Sequence, residues 1–578
     1  MKIQFFISGL YCKTSNFKMN LNLVIRNILL SIFLQQGLDS KVQDNLVDTK
    51  FTSSLIKEKK INQQKYNFLI WGGGYSPTGN QVSLESNVKY FHRVKNNIGL
   101  KEFSTKTLFA DGFDTARDIQ FHDPNFEVPE ANLLLAEILG STRGIYNQYR
   151  NNHLQPDGSS SINELNKWLQ DLNKSSDQSL NLIYFTGHGG KGDKKTPWNT
   201  STYLWNNEKV KVSDFTKKLN FLPPTQSTIL VMVQCYSGGF ANYVFKDGDP
   251  QKGLHPQPRA GFFATVHDRV AAGCTPDIRE ENYQEYSTRF WEALCGESRT
   301  GNKIQKPDYN GDGRTSLLEA HTYVIINSNT IDLPIKTSDV FLRKFSSFDP
   351  PKDTNASFYK QTIQNLIKKG RRLFYQNDSN SSGQNFISKS WIYCNDPISE
   401  ILKVASYESN ATIKSLSLKL GLRDKERFEQ ANKKIEEFKK EREQLSKSKK
   451  QKDEESKKLK TKMRNRIKKE WPEMANIHHP QIDIIKREDG TKKLISIASI
   501  DNDWENFKKL KAQMSAIEQQ RFKLEKKQVL AMRLIYEIEN VVLREAFPKI
   551  NTPDLIERYS IIEKLEKTIF DQQTTQKK

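Results

Sequence analysis

Cysteine is scarce in this sequence, with five residues in a chain of 578. No two of them form a C-x-x-C pair, so the spacing typical of a zinc ribbon is absent and nothing indicates a disulfide scaffold. One or two bridges stay open as alternatives, for example between Cys274 and Cys295. Cysteine pairing therefore does not define the architecture of this chain.

Long apolar runs are also missing, because no stretch approaches the roughly 20 uninterrupted apolar residues of a membrane-spanning helix. The short run Ile28–Leu34 follows Arg26, and if translation begins at Met19 it resembles a secretory signal. We interpret residues 1–60 as a leader and connector. This favours export to the periplasm or the extracellular space, with a cytoplasmic location as the alternative.

Acidic residues are outnumbered, since 89 Lys and Arg against 68 Asp and Glu give a formal charge of +21. Residues 401–578 hold about 42 basic and about 29 acidic side chains and supply more than half of this excess. Such a segment favours an anionic partner, whereas the alternative is a solvated Lys-rich helical face. It lacks the interleaved aromatic residues of a base-stacking surface, so we expect any binding to be non-specific and salt-dependent.

The character of the chain changes along its length. Residues 61–347 alternate short apolar runs with amphipathic segments and Gly-rich junctions, which is typical of an α/β domain with a mainly parallel sheet. Residues 348–423 are interpreted as a connector with short helices, and they contain the Ser/Asn-rich loop Asn377–Gln384. Residues 424–578 predict a basic helical or coiled-coil region with a capacity for self-association.

Six apolar runs are predicted strands: Phe68–Trp71, Leu108–Ala110, Leu182–Thr186, Ile229–Gln234, Phe262–Val266 and Val270–Ala272. Several are apolar at nearly every position, as expected when both faces of a sheet are covered. Helical periodicity lies between them, at Gln81–Val94, Leu133–Ile138 and Ile162–Leu172. A later aromatic stripe at helical spacing is interpreted as core: Tyr283, Tyr286, Phe290 and Leu294.

Two of these strands end in residues with chemical capacity. The run NLIYFTGHGG places His188 at the end of one strand, and TILVMVQCYSGG places Cys235 at the end of another. Functional groups of an open parallel sheet gather at the carboxyl ends of its strands, so adjacent strands would bring the two side chains together. A thiol beside an imidazole can act as a nucleophile, and backbone amides must then stabilise the oxyanion. Gly189 and the amide of Cys235 are the predicted donors.

These runs, TGHG and VQCYSGG, resemble the caspase, legumain and gingipain clan of cysteine peptidases, in which one hydrophobic strand ends in His-Gly and a second ends in the catalytic Cys. The positions of His188 and Cys235 differ by 47, close to the roughly 50 residues of caspases. The caspase signature has an alanine between Gln and Cys, whereas Gln234 directly precedes Cys235. The chain is therefore not a true caspase, and aspartate specificity is not implied.

Two more segments resemble the bacterial caspase-like and legumain-like branch of this clan. Ala271–Glu280 (AAGCTPDIRE) is similar to the legumain strand that follows the nucleophile and helps to wall its S1 pocket. Residues 71–91 resemble the opening of bacterial caspase-like proteins. The resemblance covers about residues 65–345. It implies a three-layer α/β/α domain and an endopeptidase that cleaves protein or peptide substrates through Cys235 and His188.

The resemblance also implies an S1 pocket built from loops at the strand ends. The acidic candidates are Asp111, Asp114, Asp277 and Glu281, and an acid there would select Arg or Lys at P1 through a charge-assisted bond. Arg117 or Arg279 would instead favour an acidic P1 residue. Because acids outnumber bases at these positions, the prediction leans towards a basic P1 residue, with the acidic alternative open.

A separate motif predicts calcium. Residues 308–319 fit the loop pattern D-x-[DN]-x-[DN]-G-x5-E at every defined position. The predicted ligands are Asp308, Asn310, Asp312, the Arg314 carbonyl, Ser316 and Glu319. The alternative is an Asx-rich turn that caps the helix Ser316–Ile326. No clear helix precedes the loop, so it resembles a single dockerin-type loop, and we expect structural Ca²⁺ with no cofactor in the chemistry.

The leading hypothesis is thus a cysteine endopeptidase with a Cys235/His188 dyad. The alternative is a catalytically silent caspase-like scaffold, or binding module, that acts through its basic helical tail. Intact His188 and Cys235 favour the first hypothesis.

Overall fold

A computed structural model describes residues 65–174, 178–346, 391–476, 478–485 and 487–570. The predicted leader 1–60 and the loop Asn377–Gln384 lie outside these residues. The described residues belong to one compact unit that begins at Gln64. The predicted boundaries at 347 and 423 stay predictions.

The first half of the chain builds a mixed, mainly parallel sheet. The strands of the protein are β1 (Lys65–Gly73), β2 (Ser104–Phe109), β3 (Ile119–Phe121), β4 (Gln148–Arg150), β5 (Ser179–Gly190), β6 (Ser201–Tyr203), β7 (Lys209–Lys211), β8 (Ser227–Met232), β9 (Arg259–Phe263) and β10 (Ile335–Lys336). The order across the sheet is β10-β9-β8-β5-β1-β2, and only the β10–β9 pair along this path is antiparallel. β6 and β7 extend antiparallel from the end of β5, whereas β3 and β4 form a separate hairpin.

The helices follow the same chain order: α1 (Val82–Asn97), α2 (Glu130–Ile138), α3 (Ile162–Asn173), α4 (Val212–Leu219), α5 (Tyr286–Cys295), α6 (Leu317–Asn327), α7 (Thr337–Phe345), α8 (Ile398–Val404), α9 (Tyr407–Lys419), α10 (Arg427–Glu470), α11 (Ile482–Ile485), α12 (Glu488–Ala498), α13 (Asp503–Ile550) and α14 (Pro553–Glu566). The α/β character predicted for residues 61–347 and the helical C-terminal region are therefore both confirmed. No helix among the described residues is long and apolar enough to cross a membrane.

Both faces of the sheet are covered, which explains why its strands are apolar at successive positions. Alternate side chains of β5, such as Leu182 and Tyr184, join one core with α1, α5 and α6. Their neighbours Ile183 and Phe185 join a second core with α3 and α4. The aromatic stripe predicted as core lies on or just before α5, and all four of its residues are buried.

One predicted strand is wrong. Val270–Ala272 forms a loop, and its amides do not enter the sheet: the Ala271 amide points at Cys235 Sγ and the Ala272 amide at Asp332. The sixth strand of the sheet is instead Ile335–Lys336, which pairs antiparallel with β9. A run of three small or β-branched residues predicts a strand when considered alone, but here the Ala271 and Ala272 amides form hydrogen bonds to Cys235 and Asp332.

The basic C-terminal region is built around two long helices that pack antiparallel, α10 and α13. Arg442 bonds Glu525 at 2.8 Å, Lys449 bonds Glu518 at 2.6 Å, and Lys462 bonds Asp503 at 3.1 Å. Some of the positive charge predicted on this segment is therefore paired across the hairpin. Self-association through these helices stays a prediction.

The hairpin and the last helix dock on the α/β domain. Tyr536 of α13 enters the core on the α3/α4 face of the sheet. Buried polar contacts continue this interface, since Arg343 pairs with Glu539 at 3.2 Å and the Glu566 carboxylate accepts hydrogen bonds from Ser338.

The disulfide bridge left open between Cys274 and Cys295 is not formed, because both are free thiols.

Candidate active site

His188 and Cys235 both lie at the carboxyl edge of the sheet. β5 and β8 are parallel neighbours, and their pairing runs to Phe185 opposite Met232. His188 and Cys235 each lie three positions further along, at the same offset. The structure thus places these two residues at the same edge of the sheet, and their action as a dyad stays a prediction.

The His188 ring is held by the loop that follows β1. Its Nε2 lies 2.7 Å from the Gly79 carbonyl oxygen and 3.0 Å from Gln81 Oε1, and the Tyr75 ring packs edge-on at 5.3 Å between centroids. A carbonyl oxygen only accepts, so Nε2 carries the proton and Nδ1 keeps its lone pair in the neutral ring. Burial lowers the pKa of His188, against an opposing effect of the Gly79 carbonyl. The imidazole is therefore neutral at neutral pH, as a general base requires.

The Cys235 thiol contacts the loop 269–272. The Ala271 amide donates to Sγ at 3.4 Å, and Sγ lies 3.9 Å from the Ala271 carbonyl oxygen. Burial raises the pKa of Cys235, while the backbone hydrogen bond at Ala271 opposes that shift. Both groups are therefore neutral at neutral pH, and the thiol would have to lose its proton before it could act as a nucleophile.

Gly189 sits where the two strand ends touch. A Cβ at this position would lie 2.1 Å from the Cys235 carbonyl oxygen and 2.6 Å from Gln234 Cγ, distances that no side chain tolerates. Glycine is therefore needed for β5 and β8 to approach beside the thiol. The predicted oxyanion role of the Gly189 and Cys235 amides stays a prediction.

Gln234 is a site residue that sequence reasoning did not single out. Its side chain is buried, and within the described residues neither its amide nitrogen nor its amide oxygen has a hydrogen-bond partner. Buried amides without partners are uncommon because each carries a desolvation cost. The available signal was a polar residue at the end of an otherwise apolar strand, next to the cysteine.

Two of the predicted S1 acids have other roles or surroundings. Asp277 is bound at both oxygens by Arg279 and also accepts a hydrogen bond from Asn282. The Arg279 hydrogen bonds hold the pKa of Asp277 far below its usual range. Its charge is already compensated, and that of Arg279 with it. Glu281 is exposed on the same loop.

Asp111 has a different environment, because it faces a second acid that the sequence analysis missed. Asp118 is 1% exposed and accepts one hydrogen bond, from Asn80 at 2.8 Å. Burial and the neighbouring carboxylate raise the pKa of Asp118 to about 7, and burial and Asp114 raise that of Asp111 to about 6. In the described part of the chain, one buried oxygen of each acid lacks a partner. Asn80 is the neighbour of Gly79, so the acid pair flanks the loop that holds His188.

The other charged candidates near this pair are turned to different partners. Asp114 is exposed and accepts a hydrogen bond from the Ala116 amide at 2.9 Å. The Arg117 guanidinium donates to the Tyr149 carbonyl oxygen. Both hydrogen bonds are to neutral backbone groups, so the S1 roles predicted for Asp114 and Arg117 stay predictions.

The predicted calcium loop folds as a compact turn before α6. Asp308 accepts amide hydrogen bonds from Gly311, Asp312 and Gly313 at 2.8–3.0 Å. Buried Glu319 accepts from the Tyr309 amide at 2.7 Å and from Ser316, with which it forms a capping box on α6. The sixth loop position, Gly313, has φ of +80°, as the sharp turn of such a loop requires.

The predicted ligands lie along this turn, but their carboxylates currently bind backbone amides. No group of three or more His, Cys, Asp or Glu side chains in the described ranges converges closely enough to hold a metal ion. Half of the predicted ligand set is of other types, namely Asn310, the Arg314 carbonyl and Ser316. The fit of the loop to calcium therefore rests on its sequence order and its Gly313 turn.

Comparisons with known proteins do not assign the chain to a family. No family of proteins matches it, and no curated protein matches it either. Among the solved structures that match parts of it are the following two. Protein GSU0716 from Geobacter sulfurreducens covers 47% of this chain and 92% of its own, at 10% identity and a TM-score of 0.26. Raptor from Chaetomium thermophilum covers 45% of this chain and 19% of its own, at 12% identity and a TM-score of 0.22. Both scores are too low to support an assignment of fold or function.

Proposed function

We propose that the chain is a cysteine endopeptidase of the caspase-like type, with Cys235 as nucleophile and His188 as general base and acid. The observation that carries this proposal is the shared register of β5 and β8, which places both residues at one edge of the sheet. The neutral His188 ring with its lone pair on Nδ1 supports the role of base. The close contact at Gly189 supports a built site rather than two unrelated side chains.

The reaction follows from the protonation states. The Cys235 thiol transfers its proton to His188 as sulfur attacks the scissile carbonyl carbon, and the carbonyl oxygen becomes an oxyanion. Backbone amides at Gly189 and Cys235 are the proposed donors to that oxygen. Collapse of the tetrahedral intermediate breaks the C–N bond, and His188 gives its proton to the leaving amine. Water then hydrolyses the thioester, with His188 again as base.

A basic P1 residue is the substrate preference that the site supports best. Asp111 and Asp118 each hold a buried carboxylate oxygen without a partner, beside the loop that binds His188. A guanidinium or ammonium group would supply the missing donors and relieve the repulsion between the two acids. Asp277 is a weaker S1 candidate because Arg279 already neutralises it.

Calcium would act in this proposal as a structural ion at residues 308–319. The oxygen donors of the loop would hold it through Asp308, Asn310, Asp312, the Arg314 carbonyl, Ser316 and Glu319, and it would supply charge compensation, not chemistry. The loop leads directly into α6, whose apolar face belongs to the core of the sheet. Binding there would stabilise the α/β domain.

A peptide-library digest tests the activity. Wild-type protein should cleave library peptides, and Cys235→Ala should abolish cleavage. Cys295 is a free thiol at the end of α5, and the control variant Cys295→Ala should retain cleavage. Thiol alkylation should have the same effect as Cys235→Ala. If folded wild-type protein with calcium cleaves no member of the library, the scaffold alternative replaces the peptidase.

A further inference from the structure

One arginine of the C-terminal helices is buried beneath the α/β domain. Arg533 of α13 is 3% exposed. Its guanidinium donates five hydrogen bonds of 2.8–3.4 Å, and the acceptors are the Ile325, Ser328, Thr330 and Asp332 carbonyl oxygens and the Thr330 hydroxyl. An arginine has five N–H donors, so these bonds use all of them. Arg533 therefore fixes the path of the chain from α6 to Asp332.

Asp332 carries this connection to the thiol. Its Oδ1 accepts a hydrogen bond from the Ala272 amide at 2.6 Å. The preceding amide, of Ala271, donates to Cys235 Sγ at 3.4 Å. Two successive amides of one loop thus point at Asp332 and at the proposed nucleophile. The position of the Ala271 amide therefore depends on the hydrogen bond that anchors the Ala272 amide.

A second contact joins the helical hairpin to the same loop. Arg269 lies 3.4 Å from Glu525 of α13, and the other oxygen of Glu525 binds Arg442 of α10 at 2.8 Å. The carbonyl oxygen of Arg269 accepts a hydrogen bond from the Tyr236 amide at 2.8 Å, directly after Cys235. Helix α13 therefore contacts the segment 269–272, which borders the thiol, and α10 is linked to it through Glu525.

We propose that the C-terminal helical region positions the loop beside Cys235, with Arg533 and Asp332 as the positioning residues. They hold the loop 269–272 so that the Ala271 amide faces Sγ. An amide hydrogen bond to sulfur favours the thiolate, so a released loop leaves the thiol harder to ionise. This inference rests on the proposed function only where it calls Cys235 the nucleophile.

The hydrogen bond that Asp332 accepts and the charge that it carries have opposite expected effects on the alkylation rate of Cys235. A carboxylate near a thiol raises the thiol pKa, and Asp332 acts on Cys235 in this direction. Removing the charge alone should therefore speed alkylation of Cys235. Removing the hydrogen-bond acceptor should slow it, because the Ala271 amide is no longer held against the sulfur. Asp332→Leu removes both the charge and the acceptor, whereas Asp332→Asn keeps an acceptor oxygen.

The experiment measures iodoacetamide alkylation of Cys235 in the full chain, from pH 6 to 10, by peptide mass spectrometry. We expect Asp332→Leu and Arg533→Met to alkylate about tenfold more slowly at neutral pH, which corresponds to a thiol pKa about one unit higher. Asp332→Asn should match or exceed the wild-type rate. Arg343→Met is the matched control, because Arg343 is a buried interface arginine that bonds Glu539 and Asn540 instead of the loop.

A folded Asp332→Leu protein that alkylates at or above the wild-type rate overturns the proposal. If that variant does not fold, the alkylation rate of Arg533→Met is the test. A wild-type rate in Arg533→Met, or an equal slowing in Arg343→Met, also overturns the proposal. Because alkylation needs no peptide substrate, these results are distinct from a failure of the peptidase proposal. Where cleavage is observed, kcat should fall in Asp332→Leu with KM unchanged.

Discussion

His188 and Cys235 lie at the same offset beyond the last paired residues of two neighbouring parallel strands. β5 and β8 pair up to Phe185 and Met232, and His188 and Cys235 each lie three positions beyond. The offset of 47 between the two residues in the sequence is therefore the register offset of the strand pair. Because this register sets the spacing of the two motifs, the thiol and the imidazole lie at the same edge of the sheet.

The contact at Gly189 predicts a sharp steric effect. Gly189→Ala places a Cβ against the Cys235 carbonyl oxygen and Gln234, so the strand ends must separate beside the thiol. We expect peptidase activity to fall by about 100-fold, as for other small misplacements of reacting groups. Gly140→Ala is the control, since its Cβ would meet ordinary contacts at 3.7 Å. Equal activity of the two variants would contradict the proposed role of Gly189.

The protonation states predict the pH dependence of the dyad. Burial raises the pKa of Cys235, so its alkylation rate should rise with pH through a midpoint above the usual value of about 8.5. Burial lowers the pKa of His188, so the acid limb of kcat/KM should lie below about 6.5. Stopped-flow alkylation and a pH–rate profile measure the two limbs. An alkylation midpoint near pH 6 would indicate a thiolate–imidazolium pair at rest, against this prediction.

The acid pair predicts a trade between specificity and stability. Asp118→Asn should reduce the preference for Arg over Gln at P1 by at least about tenfold, because the charge-assisted bond is lost. The raised pKa of Asp118, about 7, means that the folded state holds its proton more tightly than the unfolded state, so stability falls as pH rises above the usual range for an acid. Asp118→Asn removes this effect, and Tm at pH 8 should rise by a few degrees.

Asp277→Asn is the matched control for that substitution. Its carboxylate is bound by Arg279 and Asn282, so its loss should leave the P1 preference unchanged. If only Asp277→Asn loses the preference for a basic P1 residue, the S1 pocket would be assigned instead to the loop after β9, as the sequence resemblance implied.

The loop 308–319 predicts a calcium-dependent melting temperature. Millimolar Ca²⁺ should raise Tm of the wild-type protein by several degrees relative to chelator, because a ligand that binds only the folded state stabilises it. Asp308→Ala should remove the shift, whereas Glu297→Gln should not, since Glu297 pairs with Lys303 outside the loop. The absence of a shift in the wild type would leave Glu319 as a helix cap only.

The basic hairpin predicts weak, electrostatic binding to polyanions. The full chain should be retained on heparin at low salt and elute at moderate salt, as counterion release dictates. Gln substitutions at the exposed residues Lys440, Lys447 and Lys450 should lower the elution salt. Retention that survives high salt would contradict this purely electrostatic picture.

Much of the α/β domain follows from local sequence rules. Apolar side chains at successive positions mark Leu182–Thr186 and Ile229–Gln234 as strands covered on both faces, and the structure confirms both strands, with the second ending at Met232. Periodicity likewise predicts α1 and α3. Val270–Ala272 is the failure, because short apolar runs form strands only where a neighbouring strand accepts their amides.

The sequence by itself determined that His188 and Cys235 end two buried strands, since strand composition and terminal glycines are local properties. It did not determine what surrounds them. Only the tertiary structure decided that Asp118 joins Asp111 and that Arg533 supports the loop at the thiol. Arg533 and Asp332 are 201 residues apart in the chain. Contacts between such distant residues arise from the packing of α13 against the sheet domain, which no local pattern of residues encodes.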